Sequence, residues 1–134
     1  METTPIEVFE GMRRQWLAHP APIAQDAYAE DVVIEIPFAP AGQRRRFEGR
    51  REFLEFANPR RAALPVRFDG CEVLAVHETR DPDTIVVEYE LTGTHLTTGR
   101  QSTAAFIGVL TVEHGRIKRW REYQDTLAMM QALG

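Results

Sequence analysis

The 134-residue sequence contains one cysteine, Cys71, so it cannot form an internal disulfide or a cluster of thiolate metal ligands. The sequence spacing of His19, His77 and His114 does not match that of metal ligands, and no metal site is expected. The longest strongly apolar runs, such as Ala104 to Leu110, are far too short to span a bilayer. The first residues also lack the basic and apolar regions of a secretory signal. We therefore expect a soluble, cytoplasmic protein without a membrane partner.

The sequence also has no excess of basic residues. Twenty acidic residues against sixteen basic ones give a net charge of −4, whereas a nucleic-acid-binding domain is usually basic, so no nucleic-acid partner is expected. One basic concentration, seven arginines between residues 44 and 61, runs against this balance. It is either a patch for an anionic ligand or nucleic acid, or a solvated surface whose charge nearby glutamates neutralise, and the second interpretation is favoured. The arginines are Arg44, Arg45, Arg46, Arg50, Arg51, Arg60 and Arg61, and the glutamates are Glu48, Glu52 and Glu55.

The pattern of apolar residues predicts an α+β domain. The length fits one domain over residues 1–134, with enough apolar residues for one core. Helices are predicted over Pro5 to Ala18, Ile23 to Tyr28 and Arg50 to Arg61, and a first strand over Val32 to Phe38, followed by a loop. Turn residues then separate four long antiparallel strands, Val66 to Glu78, Thr84 to Leu96, Gln101 to Glu113 and Arg116 to Asp125. Asp125 is predicted to cap a last helical turn, TLAMMQAL.

Three segments resemble a known superfamily. They are YAEDVVIEIPF with the following FEGRREF, VVEYELTGTHLTTGR, and FIGVLTVEHGRIKRWREYQD. Together they are similar to the SnoaL-like branch of the nuclear transport factor 2-like superfamily, which groups polyketide cyclases, limonene epoxide hydrolases and ketosteroid isomerase relatives. The resemblance implies a cone in which three N-terminal helices pack on a strongly curved, mixed but mostly antiparallel sheet. It also implies a cofactor-free pocket and a homodimer formed through the outer sheet face, where Glu88, Glu90, Arg119 and Arg121 are candidate contacts.

The resemblance implies one catalytic carboxylate in this sequence, but not a complete set of catalytic residues. The Asp-Arg-Asp set of the epoxide hydrolases falls on Leu91, Tyr89 and Glu122, so only its last acid is retained. The residues that position water in those enzymes fall on Ile34 and Ile36, and epoxide hydrolysis is therefore not expected. The base proposed for SnoaL-type cyclases also falls on Glu122. The resemblance thus implies a working carboxylate at this one position.

Strand alternation predicts which side chains surround that carboxylate. If Glu122 faces the cavity, its neighbours two residues away face it too, while Arg119, Arg121 and Tyr123 face outward. The predicted lining is apolar and aromatic with a single acid, as expected of a small-molecule site. It consists of Trp120 and Gln124 beside Glu122, of Tyr89, Leu91, Ala104 and Phe106 on the preceding strands, and of Ile34, Ile36 and Phe38 on the first strand.

This composition suggests proton transfer on a small hydrophobic molecule. A carboxylate that loses hydration has a raised pKa, which suits a general base near neutrality. We predict that Glu122 abstracts a proton next to a carbonyl, that Tyr89 or His95 donates to the enolate, and that a ring stacks on Trp120 and Phe106. The alternatives are a structural Glu122 in an ion pair, with the aromatic residues as plain core. At the level of function, they are a non-catalytic binding protein or a protein-interaction module.

Overall fold

The computed structural model describes residues 3–19 and 21–133. Within these residues, three α-helices and six strands follow one another. Their bounds are α1 Pro5–Leu17, β1 Tyr28–Glu35, β2 Arg46–Glu48, α2 Arg50–Ala63, β3 Val66–Glu78, β4 Thr84–His95, β5 Gln101–Glu113, β6 Arg116–Gln124 and α3 Thr126–Leu133. No helix among the described residues is both long and apolar enough to cross a membrane.

The strands form one mixed sheet in the order β2-β1-β6-β5-β4-β3. β3 to β6 pair as an antiparallel meander, as predicted, because each turn joins neighbouring strands. β1 lies parallel to β6 and antiparallel to β2. The predicted class, an α+β fold with a mixed and mostly antiparallel sheet, is confirmed.

The helices differ from the prediction in one respect, since they are not all N-terminal. Ile23 to Tyr28 does not form a helix: residues 25–27 make a single 3-10 turn, and Tyr28 already pairs with Ile117 as the first residue of β1. The third α-helix is α3 at the C-terminal end, where the Asp125 carboxylate accepts the backbone N–H of Ala128 as the predicted cap. The elements α1, β1, β2 and α2 therefore precede the meander, and α3 follows it.

The first strand is also shifted. β1 ends at Glu35, so Ile36, Pro37 and Phe38 continue beyond it, and a short strand, β2, forms in the predicted loop. β2 shows the alternation of a strand: the side chain of Phe47 is fully buried, while its neighbours Arg46 and Glu48 are exposed. One inward apolar residue on a three-residue strand is too short a pattern to stand out from a loop.

The core lies between the inner face of the sheet and the helices. α1 begins with a capping box, in which Thr4 and Glu7 bond each other's backbone N–H groups, and with Pro5 in its first turn. Its buried face carries Val8, Phe9 and Met12. This face covers the sheet where β4, β5 and β6 present alternate buried side chains. The helices thus form one wall, and the sheet the other, of the space around Glu122.

Candidate functional site: aromatic cavities around Glu122

Glu122 lies on β6, on the inner face of the sheet. It pairs with Gly108 of β5, and the buried Trp120 occupies the preceding inward position. The hydroxyl of Tyr89, two strands away on β4, donates a hydrogen bond of 2.6 Å to Oε2 of Glu122. Strand alternation alone brings these side chains to the same face, as the sequence pattern predicts.

An aromatic cluster surrounds this hydrogen bond. The ring of Tyr89 stacks on Phe106, with centroids 5.3 Å apart and planes 9° apart, and on Trp16, with centroids 5.1 Å apart. Trp120 lies farther along the same face, 6.4 Å from the Tyr89 ring. Trp16 comes from α1 and is a cavity residue that the sequence analysis did not single out. Its helical spacing from Phe9 and Met12, which are both buried, is the signal that could have identified it.

The surroundings change the acidity of both members of the Tyr89–Glu122 pair. Burial raises the pKa of Glu122, because the carboxylate loses hydration, and hydrogen bonds from Tyr89 and Trp120 offset only part of this rise. Burial, together with the Glu122 charge, holds the pKa of Tyr89 well above its usual value. Tyr89 therefore stays a neutral phenol and acts as a hydrogen-bond donor to the carboxylate.

Glu122 lines a first cavity of about 340 Å³. Its walls come from the C-terminal part of α2, from β3, β4 and β5, and from α3. Five of the predicted site residues meet there: Leu91, His95, Ala104, Phe106 and Glu122. Further lining residues that the sequence analysis did not assign to the site include Phe68, Arg60, Arg61, Arg100 and Met129.

Glu122 also lines a second cavity, of about 450 Å³, between α1, β1 and β6. Three more predicted residues lie there: Ile34, Ile36 and Trp120. Trp16, Ile23 and Arg61 line both cavities together with Glu122, so these residues stand where the two spaces adjoin. Among the described residues that line either cavity, Glu122 is the only acid.

Three predicted residues have other surroundings. The side chain of Tyr89 is fully buried, and it reaches the site through its hydrogen bond to Glu122 rather than as a wall. Phe38 lies outside both cavities: it is 56% exposed and packs edge-on against Tyr123 on the outer side. Its position follows from the early end of β1, after which strand alternation no longer applies. Gln124, the last residue of β6, donates to the Thr126 hydroxyl and lines neither cavity.

His95 stands at the end of β4 on the wall of the first cavity. Its Nδ1 accepts the backbone N–H groups of Thr97 and Thr98, at 3.2 and 3.3 Å. Because Nδ1 is an acceptor, the neutral ring carries its proton on Nε2. His95 can therefore donate one hydrogen bond to a ligand. Within residues 3–19 and 21–133, no three His, Cys, Asp or Glu side chains are grouped as a metal ion requires.

Comparison with known proteins points to one family. The sequence profile of the SnoaL-like domain matches residues 9–120. The PhzA/B-like protein PA3332 of Pseudomonas aeruginosa is 31% identical over 109 residues, which cover 81% of this chain and 75% of that protein. The uncharacterized protein YesE of Bacillus subtilis is 26% identical over 109 residues, covering 81% of this chain and 73% of that protein.

Solved structures share the fold. A Bacillus subtilis protein provisionally described as an isomerase superposes with a TM-score of 0.84 at 23% identity, covering 96% of this chain and 91% of that one. An epoxide hydrolase of Mycobacterium tuberculosis, similar to limonene epoxide hydrolase, superposes with a TM-score of 0.68 at 20% identity, covering 98% of this chain and 90% of that one. At these identities the likeness concerns the fold, and the chemistry must be argued from the residues of this chain.

Proposed function

The chain belongs to the SnoaL-like domain family, and on that premise we propose that it is a cofactor-free enzyme of the isomerase, cyclase or lyase type. Its substrate is a hydrophobic cyclic or polyketide-like metabolite. The observation that carries this proposal is the half-buried carboxylate of Glu122, the only acid among the described cavity residues, held by the Tyr89 hydroxyl at 2.6 Å. A single desolvated base in an apolar cavity suits proton transfer at carbon.

In the proposed reaction, the Glu122 carboxylate removes a proton from a carbon next to a carbonyl group. The C–H bond breaks, its electron pair moves toward the carbonyl oxygen, and an enolate forms while Glu122 becomes a carboxylic acid. The same proton then returns to the substrate at another atom. Desolvation makes the carboxylate a stronger base, because water no longer stabilises its charge.

Tyr89 and His95 have different roles in this proposal. The Tyr89 hydroxyl is fully buried and donates to Glu122, so we assign Tyr89 to positioning the carboxylate. His95 keeps a donor free in the neutral ring and lines the first cavity, so it is the candidate donor to the developing enolate oxygen. Phe106 and Trp16 offer flat surfaces on which a cyclic substrate can stack.

A non-catalytic binding protein is the second candidate. The observation that favours it is the replacement of two positions of the related Asp-Arg-Asp set by Tyr89 and Leu91, so that one acid of that set remains among the described cavity residues. Such a protein would use the same cavity and the same aromatic surfaces. The two candidates differ in the acidity that they require of Glu122.

Titration of Glu122 distinguishes the two candidates. With the side-chain carboxyl carbons of glutamate labelled, we expect one NMR resonance to titrate above the ordinary value of 4.5, since burial disfavours the charged form. Glu122→Gln identifies the resonance by removing it. In Tyr89→Phe the pKa of Glu122 rises further, because a hydrogen bond that stabilises the carboxylate is lost. An unshifted resonance in the wild-type protein would favour the binding protein.

We further propose a homodimer that forms through the outer face of the sheet. Ile107 lies at the centre of this face with 42% of its surface exposed, between Glu88 of β4 and Tyr123 of β6. Charged residues flank it, including Glu90 and Arg119, on the adjoining strands. An apolar centre with a charged rim is the usual composition of a protein interface.

Ile107→Arg is expected to convert the dimer to a monomer, because it places an unpaired charge at the centre of the contact. Light scattering after size-exclusion chromatography measures the mass directly. Leu127→Arg is the matched control, since Leu127 is an exposed apolar residue of α3, 69% exposed, on a helix rather than on the sheet. A monomeric wild-type protein, or a dimer that persists in Ile107→Arg, would contradict this interface.

A further inference from the structure

The lining of the first cavity is mostly apolar, but it also carries an excess of positive charge. Three arginines, Arg60, Arg61 and Arg100, belong to its lining, and its one acid among the described residues is Glu122. Arg60 and Arg100 are exposed and form the rim, whereas Arg61 is half-buried. A small apolar molecule alone gives no reason for three positive charges at the same cavity.

Two of these guanidinium groups are held in place by their neighbours. Arg60 stacks on the ring of Phe56, 4.1 Å from its centroid. Arg100, from the turn between β4 and β5, donates to the carbonyl of Gln131 in α3 at 2.6 Å. Each contact uses one face or one N–H group of the side chain and leaves other donors available. Both guanidinium groups are therefore oriented, and each keeps N–H groups that can bind a ligand.

Of the five remaining arginines of the basic concentration, three pair with carboxylates and two donate to backbone carbonyls. Arg44 pairs with Glu52 at 2.7 Å, and Arg51 pairs with Glu55 at 3.1 Å. These pairs agree with the solvated, neutralised surface that the sequence analysis favoured. By contrast, no carboxylate among residues 3–19 and 21–133 lies within ion-pair distance of Arg60, Arg61 or Arg100. Among the described residues, the three arginines that line the first cavity thus have no carboxylate partner.

A purely structural role accounts for only part of this arrangement. Arg60 and Arg61 occupy the last turn of α2, where positive charge is favourable for the helix dipole. Arg61 also donates to the backbone carbonyls of Gln15 and Ala21 and so joins α2 to the end of α1. Arg100 likewise donates to a backbone carbonyl in the last turn of α3, but it reaches the same cavity from a separate element, the turn between β4 and β5. Convergence from two separate elements favours a shared ligand.

We propose that the first cavity binds an apolar carboxylate. Its hydrocarbon or aromatic body lies against Phe68, Leu91 and Phe106, and its carboxylate lies at the rim, where Arg60 and Arg100 donate charge-assisted hydrogen bonds. The N–H group of His95 is a further donor on the same wall. This inference rests on the proposed function only in taking the cavity as the substrate site, and it specifies the substrate as an organic anion.

The test compares two probes of nearly the same shape, 2-naphthoate and 2-naphthamide, by calorimetric titration of the full chain at neutral pH and low salt. We expect the anion to bind about tenfold more tightly, as two partly exposed charge contacts allow. Arg60→Gln and Arg100→Gln should each weaken naphthoate binding by about threefold, and the double variant should remove the preference. Binding of the neutral amide should change little in all three variants.

Arg51→Gln is the matched control, because it removes an equal charge from α2 at a residue that lines neither cavity. The inference is overturned if the amide binds as tightly as the acid, or if the double variant keeps the preference. Equal binding of both probes leaves the proposed function standing, provided that Glu122 still titrates above its ordinary value. If neither probe binds, the cavity is not a ligand site, and both proposals fall.

Discussion

Glu122→Gln is expected to slow proton transfer by about a hundredfold or more, the usual contribution of a positioned general base. An amide keeps the shape of the side chain and can still accept the Tyr89 hydrogen bond, but it cannot take up a proton near neutral pH. A suitable measurement is the exchange of α-protons of 2-tetralone, a bicyclic ketone, in deuterated water, followed by proton NMR. The rate for the wild-type protein should rise with pH as Glu122 loses its proton.

The control for this experiment is Glu113→Gln, which makes the same chemical change at the exposed end of β5. It should exchange the ketone at the wild-type rate. A Glu122→Gln protein with full activity would show that Glu122 is not the base. Exchange that is absent from the wild-type protein, with the probe bound in the cavity, would instead favour the non-catalytic binding protein.

The same variant should be more stable than the wild-type protein near neutral pH. Because the pKa of Glu122 is raised on folding, the folded protein holds the proton more tightly than the unfolded chain. The resulting stability is fully present below the ordinary value of 4.5 and is lost as the pH rises through the raised pKa. Glutamine carries no charge to desolvate, so we expect a gain of about 1 kcal/mol in the free energy of unfolding near neutrality, vanishing in acid.

The meander was the part of the fold most accessible to sequence analysis. β3 and β5 have the predicted bounds, and β4 and β6 each end one residue earlier than predicted. These strands follow one another through short turns, and local turn residues and alternation report on them directly. β1 depends on pairing with β6, far along the chain, as Ile34 does with Trp120, and β2 in turn pairs only with β1. Single-sequence periodicity carries no signal for such long-range pairing.

The same difference between local pattern and long-range packing applies to the residues of the candidate site. The resemblance singled out Glu122, and strand alternation then placed Phe106 and Leu91 on the same face. Trp16 and Arg100 were not assigned to the site, because their place in it depends on how α1 and the β4–β5 turn pack against the sheet. Phe38 was placed in the cavity by extending β1 past its end, which shows that alternation holds only while the strand lasts.

Gly108→Ala should be the most destabilising of the substitutions proposed for this protein. Gly108 faces inward opposite Glu122, and the indole of Trp120 lies across it. A Cβ atom there would stand 2.5 Å from Cζ3 and 2.8 Å from Cζ2 of Trp120, and closer still to Cη2. We expect the free energy of unfolding to fall by about 2–3 kcal/mol, as in overpacked cores, measured by denaturant titration. Gly70→Ala is the control, since nothing lies within 4 Å of a Cβ at that position.

The clash is with a particular ring, so a second substitution can relieve it. Trp120→Phe removes the outer part of the indole, and the double variant should therefore recover part of the stability that Gly108→Ala loses, giving a coupling energy that differs from zero. Trp120 also lowers the pKa of Glu122, so displacing the indole in Gly108→Ala should raise that pKa further. If Gly108→Ala matches the wild-type protein in both stability and Glu122 titration, the indole does not cross Gly108. The aromatic wall beside the carboxylate would then have a different arrangement.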